Sequence, residues 1–544
     1  MKKTVCLLLA LAAAGSTAAA QSPIPTFDKN AAAVHPYNRT GQQDPIVDAV
    51  PDGFRPGNTG TEEAPAFYVR DIRLLGHPLP ADDPRLSMLL DEYRGRSVEV
   101  AELQTLAARL TAYVKSRGYP VAQAVVPPQE VKDGVLDMEI YVASCDAVTL
   151  TENTSEVADS VIRGYLSRLK PGETLTDRTL EGPVNRINDL PGVVARAVLR
   201  PGSAAGTTAV DVEVAKRPVW NNYVFVDNGG GYYSGRYRYG FNFEYDNPSH
   251  RGDKIGVSGM MSSHDVKNWS ARYETPVGYD GTVLGVAYSR SEYELHTNGF
   301  YDSLGESEGI SLYGLTPLYR DRSDRVTLIY GYDHRKITNR YRFRMGDLPT
   351  LRGEKDADVW HVGISGSQYA PNEFLQYDVI YWYGDMSTDG GDTYIDGSYH
   401  KLTGDLFKVW YDGPWNYRFR GSWQLANRPL DGSEQFYLGG MNGVRAYGNG
   451  DGYGDAGWLG TFEVRRATGV EGLEAALFLD AGYVNDRAFQ RSEHLYGWGV
   501  GLRCSLSNDW YAQLDYARKF NARPDLTEPT DHDGRVWFQV YKMF

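Results

Sequence analysis

From about residue 219 to the carboxyl end, apolar and polar residues alternate in short runs, and no window beyond residue 20 holds eighteen consecutive apolar residues. That excludes a helical membrane span. It suits a sheet whose two faces meet different surroundings, the pattern of a transmembrane β-barrel. In residues 498–506, Trp498, Val500, Leu502, Cys504 and Leu506 share one face, opposite Gly499, Gly501, Arg503 and Ser505. In the final segment Val536, Phe538, Val540 and Phe544 share a face that Lys542 interrupts. The pattern predicts sixteen strands, the first eight near 219–227, 236–245, 253–261, 267–274, 282–291, 308–318, 324–335 and 357–366. The second eight fall near 374–384, 401–411, 416–426, 457–467, 473–483, 496–506, 509–519 and 534–544. Connections after even-numbered strands are tight turns such as Asp412-Gly413-Pro414 and Ser507-Asn508. Most connections after odd-numbered strands are long, the longest being loop 427–456. Hydrocarbon offers no hydrogen bonds to a free strand edge, so a sheet of this kind must close on itself.

A soluble sandwich or propeller also alternates, but the start of the chain argues for export. Lys2 and Lys3 precede an apolar stretch at 5–14 and a small-residue site, Ala18-Ala19-Ala20, before Gln21. These are the parts of a signal peptide. The 59 Gly and 39 Tyr in 544 residues exceed ordinary soluble usage and favour strands, turns and interfaces. A formal charge of −14 argues against nucleic acid as a partner, because phosphate binding needs a basic face. Cleavage at residue 20 leaves two thiols, Cys145 and Cys504, which form neither a disulfide framework nor a metal-ligand spacing.

Residues 21–66 carry Pro23, Pro25, Pro36, Pro45, Pro51, Pro56 and Pro65, a density that breaks long helices and predicts a tether. Only 29–35 has room for a helical turn or two. Residues 67–216 change to mixed α+β, in an order that occurs twice. Phe67, Val69, Ile72 and Leu74 suggest a strand, 84–93 and 98–115 two amphipathic helices, and 121–126 with 135–142 a hairpin. The β-α-α-β-β order returns at 147–150, 156–169, 176–190, 193–199 and 208–214. Sixteen strands return the chain to the side on which it entered, which is also the side of the short turns. The paired modules are therefore expected in the periplasm.

Loop 427–456 carries Phe436-Tyr437-Leu438-Gly439-Gly440, then Val444-Arg445-Ala446-Tyr447, then Gly454-Asp455-Ala456-Gly457. Phe478-Leu479-Asp480 lies on the thirteenth strand; Asp227-Asn228 follows the first, with Asn247-Pro248 and Gly252-Asp253 after the second. With these motifs the chain resembles the TpsB transporters of two-partner secretion, the hemolysin-activator (ShlB/FhaC/HecB-like) branch of the superfamily that includes BamA. The resemblance covers nearly the whole mature chain. The family's loop motif is Val-Arg-Gly-Tyr, so Ala446 stands where the family has Gly; its strand motif is Phe-x-Asp.

The resemblance implies a signal peptide (1–20), a Pro-rich tether or plug segment (21–66), two POTRA modules (67–144 and 145–216) and a sixteen-stranded antiparallel barrel (217–544). It also implies an outer-membrane translocase of a diderm bacterium, with its POTRA modules in the periplasm and no cofactor. Its partners would be outer-membrane lipid and a TpsA-type exoprotein of the hemolysin, adhesin or contact-dependent toxin class. Strand addition would let the modules hold that exoprotein extended. The alternative within the superfamily is a BamA-type barrel-assembly insertase, against which two modules instead of about five count.

The alternation supplies a contact to test. Leu477, Leu479 and Ala481 can face lipid only if Phe478, Asp480 and Gly482 face the lumen. A loop folded into the lumen would then bring Arg445 to Asp480 in a charge-assisted, two-pronged contact, with Tyr447 and Phe478 as flanking aromatics. Its use would be positional, holding a plug-like loop in one exchangeable arrangement. Other chemistries are thinly represented. The ten His are scattered, and HExxH, GxSxG and Walker-type loops are absent. Gly229-Gly230-Gly231 lies between strands and Gly450-Asp451-Gly452 lacks calcium-loop spacing, so both read as turns, and no enzyme activity or metal is expected.

Overall fold

The computed structural model describes residues 46–48, 66–80, 82–217, 222–264, 266–296, 301–321, 323–344, 350–389, 393–506, 509–520, 528 and 532–544. The signal peptide and the suggested turn at 29–35 lie outside them. The chain divides into two units, one ending at Arg217 and the other beginning at Pro218.

In the first unit, β1 (Ile46–Asp48) is followed by β2 (Phe67–Val69) and β3 (Asp71–Leu75). Next come α1 (Pro84–Asp91), β4 (Arg96–Val98), α2 (Val100–Ser116), β5 (Ala122–Val125) and β6 (Val135–Val142). The single strand expected at 67–74 is two strands. Its apolar residues change phase between Val69 and Ile72, where the amides of Arg70 and Asp71 both turn to the Gly134 carbonyl. β2 pairs with β4, a three-residue strand too short for its periodicity to show in sequence, whereas β3 joins the sheet β3-β6-β5. Leu103, Leu106, Leu110 and Val114 of α2 recur at helical spacing and pack on Ile72, Leu136, Met138 and Ile140 of that sheet. Asp83 caps α1, accepting from the amides of Arg85 and Leu86 at 3.0 and 3.1 Å.

The second module repeats the plan with β7 (Ser144–Asn153), α3 (Asp159–Leu166), α4 (Asp177–Asn188), β8 (Val193–Pro201) and β9 (Thr207–Lys216). Its sheet runs β1-β8-β9-β7. Part of the proline-rich segment therefore has a structural place: β1 lies parallel to β8, Ile46 opposite Ala197. Ile162, Leu180, Val184 and Ile187 close the core over β8 and β9. Cys145 is buried there, and burial pushes its thiol up, away from the reactive thiolate.

The second unit is a closed antiparallel barrel. Its first strands are β10 (Tyr223–Asp227), β11 (Arg238–Asp246), β12 (Lys254–Ser262), β13 (Lys267–Pro276), β14 (Val283–His296) and β15 (Tyr301–Arg320). There follow β16 (Asp324–Phe343), β17 (Leu351–Ala370), β18 (Glu373–Thr388), β19 (Gly397–Asp412) and β20 (Trp415–Ala426). A two-residue hairpin, β21 (Phe436–Tyr437) with β22 (Tyr453–Gly454), lies in loop 427–456. The barrel closes with β23 (Ala456–Ala467), β24 (Leu473–Asp486), β25 (Arg491–Leu506), β26 (Trp510–Lys519) and β27 (Gly534–Met543), the last pairing with β10.

All sixteen segments predicted from alternation contribute a strand, but β14 to β19 run further than expected, β15, β16 and β17 to twenty residues each. Their outward faces carry Tyr288, Ile310, Tyr332, Trp360 and Tyr383, then change to Arg290, Glu308, Lys336, Asp358 and Asp385. Beyond the aromatic level the backbone ladder continues while the hydropathy period stops. That is why the pattern underestimates these strands.

Candidate functional site

Loop 427–456 turns into the barrel. Asp455, fully buried, ties its limb to the other limb, where the Leu430 amide donates to Oδ1 at 2.7 Å, and to the β24–β25 connection, where the Arg487 amide donates to Oδ2 at 2.8 Å. Beyond the β21–β22 hairpin the chain bonds to itself. The amides of Leu438 and Gly439 reach the carbonyls of Gly452 and Asp451 at 2.8 Å, and the Val444 amide reaches the Leu438 carbonyl at 2.7 Å. Gly440 sits at φ +116°, a conformation open to glycine and strained for other residues.

This turn delivers Val444-Arg445-Ala446-Tyr447 to the lumen wall of β23–β27. Leu477 and Leu479 are 61% and 52% exposed on the outer face, while Phe478 and Asp480 are 3% and 2% exposed on the inner one, so the wall presents an aromatic ring and a carboxylate to the loop. Arg445 Nε and Nη2 donate to the two oxygens of Asp480, each at 2.9 Å, and the Arg445 amide adds a third bond at 3.1 Å. The Arg445 guanidinium carbon lies 3.2 Å from the Phe478 ring centroid. Tyr447 is buried beneath Lys519, whose Nζ is 4.9 Å from its ring centroid. Val444 and Ala446 pack with Leu438, Phe478, Leu495 and Ala517.

Ala446, in place of the family's glycine, is accommodated by the facing strand. Gly497 lies beneath it, and a Cβ there would stand 2.8 Å from the Ala446 methyl. A side chain in the loop is matched by its absence from the wall.

Arg445 has further partners that the sequence did not disclose. Nη1 donates to Glu463 at 3.1 Å and to Asp515 at 3.2 Å, and Trp537 Nε1 donates to the Arg445 carbonyl at 2.6 Å. Arg503 links the same two carboxylates, reaching Asp515 at 2.6 Å and Glu463 at 3.0 Å, and Arg465 bonds Glu463. Three guanidiniums thus alternate with three carboxylates in a buried cluster spanning β23–β26. Alternation places Glu463, Arg503 and Asp515 on inward faces, but their convergence depends on curvature, which no sequence period records. Taking these charges from water is costly unless each is bonded in good geometry. Here the two-pronged contact and the bridging arginine supply that geometry, so one loop position is strongly preferred. The arrangement holds the loop tip against the inner face of a closed wall.

The family of haemolysin secretion/activation proteins ShlB/FhaC/HecB matches residues 206–504, and a ShlB-type POTRA domain matches residues 67–141. The chain is 23% identical over 487 residues to the heme/hemopexin transporter protein HuxB of Haemophilus influenzae (strain 86-028NP), covering 84% of each chain. It is 23% identical over 471 residues to the outer membrane transporter CdiB of Dickeya dadantii (strain 3937), covering 83% of this chain and 82% of that one. The solved structure of CdiB from Escherichia coli matches at 20% identity with a TM-score of 0.69, covering 91% of this chain and 94% of that one.

Proposed function

This chain belongs to the ShlB/FhaC/HecB family of haemolysin secretion/activation proteins, and from that premise we propose how its parts divide the work of secretion. The protein is an outer-membrane translocase of two-partner secretion, its barrel in the outer membrane and its POTRA modules in the periplasm. Its partner is a TpsA-type exoprotein. The BamA-type insertase is the less favoured reading.

In our reading the modules at 67–144 and 145–216 capture the exoprotein as an extended chain. Main-chain hydrogen bonding at a sheet edge suits that task, because it binds backbone without reading most side chains. The cargo then crosses the barrel lumen and folds outside; the chain conducts it and carries out no catalysis. Loop 427–456 is the closure of the channel, and Arg445, Asp480, Tyr447 and Phe478 are its latch, with Val444, Ala446, Gly439, Gly440 and Asp455 shaping the loop. The observation that carries this is the two-pronged 2.9 Å contact between Arg445 and Asp480 inside a closed wall.

The test is deletion of residues 67–216 in cells that also make the partner exoprotein. The barrel should still insert and stay heat-modifiable, since its closed sheet satisfies its own backbone. Exoprotein in the medium should fall to background. Normal secretion by the truncated chain would remove the capture role.

A further inference from the structure

The loop has a second set of charged contacts, at its root, which Arg445 does not share. Asp431 and Glu434 lie on the descending limb between β20 and β21. Lys355 of β17 donates to Asp431 Oδ2 at 2.5 Å, and the Ser433 amide donates to its other oxygen at 3.0 Å. Glu434, 4% exposed, is clasped from two strands: Arg335 of β16 bonds Oε1, and Lys401 of β19 donates to Oε2 at 2.5 Å. Gln424 of β20 donates to the Glu434 carbonyl at 2.9 Å. Next to this clasp Leu430 packs with Ala357, Val359, Met386 and Tyr399 of the same wall. The limb is thus fixed to β16–β19. The tip is fixed to β23–β27, a separate arc of the sixteen-strand ring that begins two strands beyond β19.

A segment bound only at its tip would swing about its root when the tip lets go. A segment bound at both ends, to two separate arcs of the wall, is braced inside the barrel as a strut. We propose that loop 427–456 is such a strut, and that Asp431 and Glu434, held by Lys355, Arg335 and Lys401, are positioning residues that keep the channel shut independently of Arg445. This rests on reading the loop as the closure of the channel. The two clamps share no residue, so their contributions to the closed state should add as free energies and multiply as opening frequencies.

The experiment uses the purified full-length protein in planar lipid bilayers, with no cargo present, and counts channel openings. Asp431→Asn with Glu434→Gln should raise opening frequency several-fold, and should raise it by about the same factor in an Arg445→Ala background. Charge reversal at Asp431→Lys alone should open the channel further. Adding Lys355→Asp to it should bring the frequency back toward wild type, a rescue that general damage to the barrel would not allow. Each variant is first shown to be folded by its heat-modifiable mobility. If the root variants open no more often than their parents while Arg445→Ala does open the channel, the second clamp is refuted and the closure reading stands. If neither clamp affects opening, both are refuted. A reversed pair that opens as often as the single reversal also overturns the proposal.

Discussion

At Arg445 a cation is taken out of water and given three carboxylates and an aromatic face in exchange, while the residue's own carbonyl accepts from Trp537. Removing the guanidinium leaves Asp480 buried without its main partner, and breaking a buried pair in this way costs about 3–5 kcal/mol. Arg445→Ala should therefore release the loop and impair export of the partner while leaving barrel assembly nearly intact, because a loop residue adds little to the sheet. Asp480→Ala should act alike. If the two work as one unit, the double variant should be about as defective as either single, measured as exoprotein in the medium. Fully additive defects would separate them. The fit of Ala446 over Gly497 yields a sharper residue-level test. Gly497→Ala should drive the tip from the wall, because two methyl carbons cannot stand 2.8 Å apart. Ala446→Gly in the same chain should restore secretion by returning the missing space. A Gly497→Ala chain that secretes normally would show that the tip does not sit on that strand.

At the scale of elements, local chemistry sets the ends and long-range pairing sets the lengths. The α1 cap is a local device with a pH signature. The hydrogen bond from the Tyr113 hydroxyl, at 2.7 Å, is the largest influence holding Asp83 below its ordinary value of 3.8, and the α1 amides reinforce it. A carboxyl lowered by folding stabilises the folded state above its unfolded value, and that contribution is lost as pH falls through the folded value. Acid unfolding of the periplasmic modules, followed by near-ultraviolet circular dichroism of the full chain in detergent, should thus have a component below pH 3.8. Asp83→Asn should remove it; an unchanged acid limb would exclude Asp83 as the group. The strands show the opposite dependence. Four apolar residues in one short run suggest a single strand at 67–74, although the change of phase between Val69 and Ile72 marks the break between β2 and β3. The upper halves of β15–β17 stay paired where no hydrophobic period asks for it, because each strand's neighbour supplies the hydrogen bonds.

At the scale of the molecule, closure of the barrel hangs on a short seam. β10 has five residues, all paired with β27, and where it ends the Asn228 side chain extends the ladder. Asn228 Nδ2 donates to the Val536 carbonyl at 2.8 Å, and its Oδ1 accepts from the Phe538 amide at 2.7 Å. Asn228→Ala should remove both bonds, at about 0.5–1.5 kcal/mol each. The temperature at which the compact gel form converts to the unfolded form should then fall. An unchanged conversion temperature would leave the seam to β10 alone. The barrel, the repeated β-α-α-β-β order and the inward facing of Asp480 are legible in the residues alone, because alternation and helical spacing are one-dimensional records of which side of an element meets water or lipid. The residues also point to Arg445 and Asp480 through motifs that resemble a known family. The tertiary structure alone decided which inward groups meet. Glu463, Asp515 and Trp537 come to Arg445, and Arg335, Lys355 and Lys401 to the loop's root, from strands far apart in the chain. Their proximity arises from the curvature of a closed sheet and the path of one loop across it, and neither leaves a period in the residues themselves.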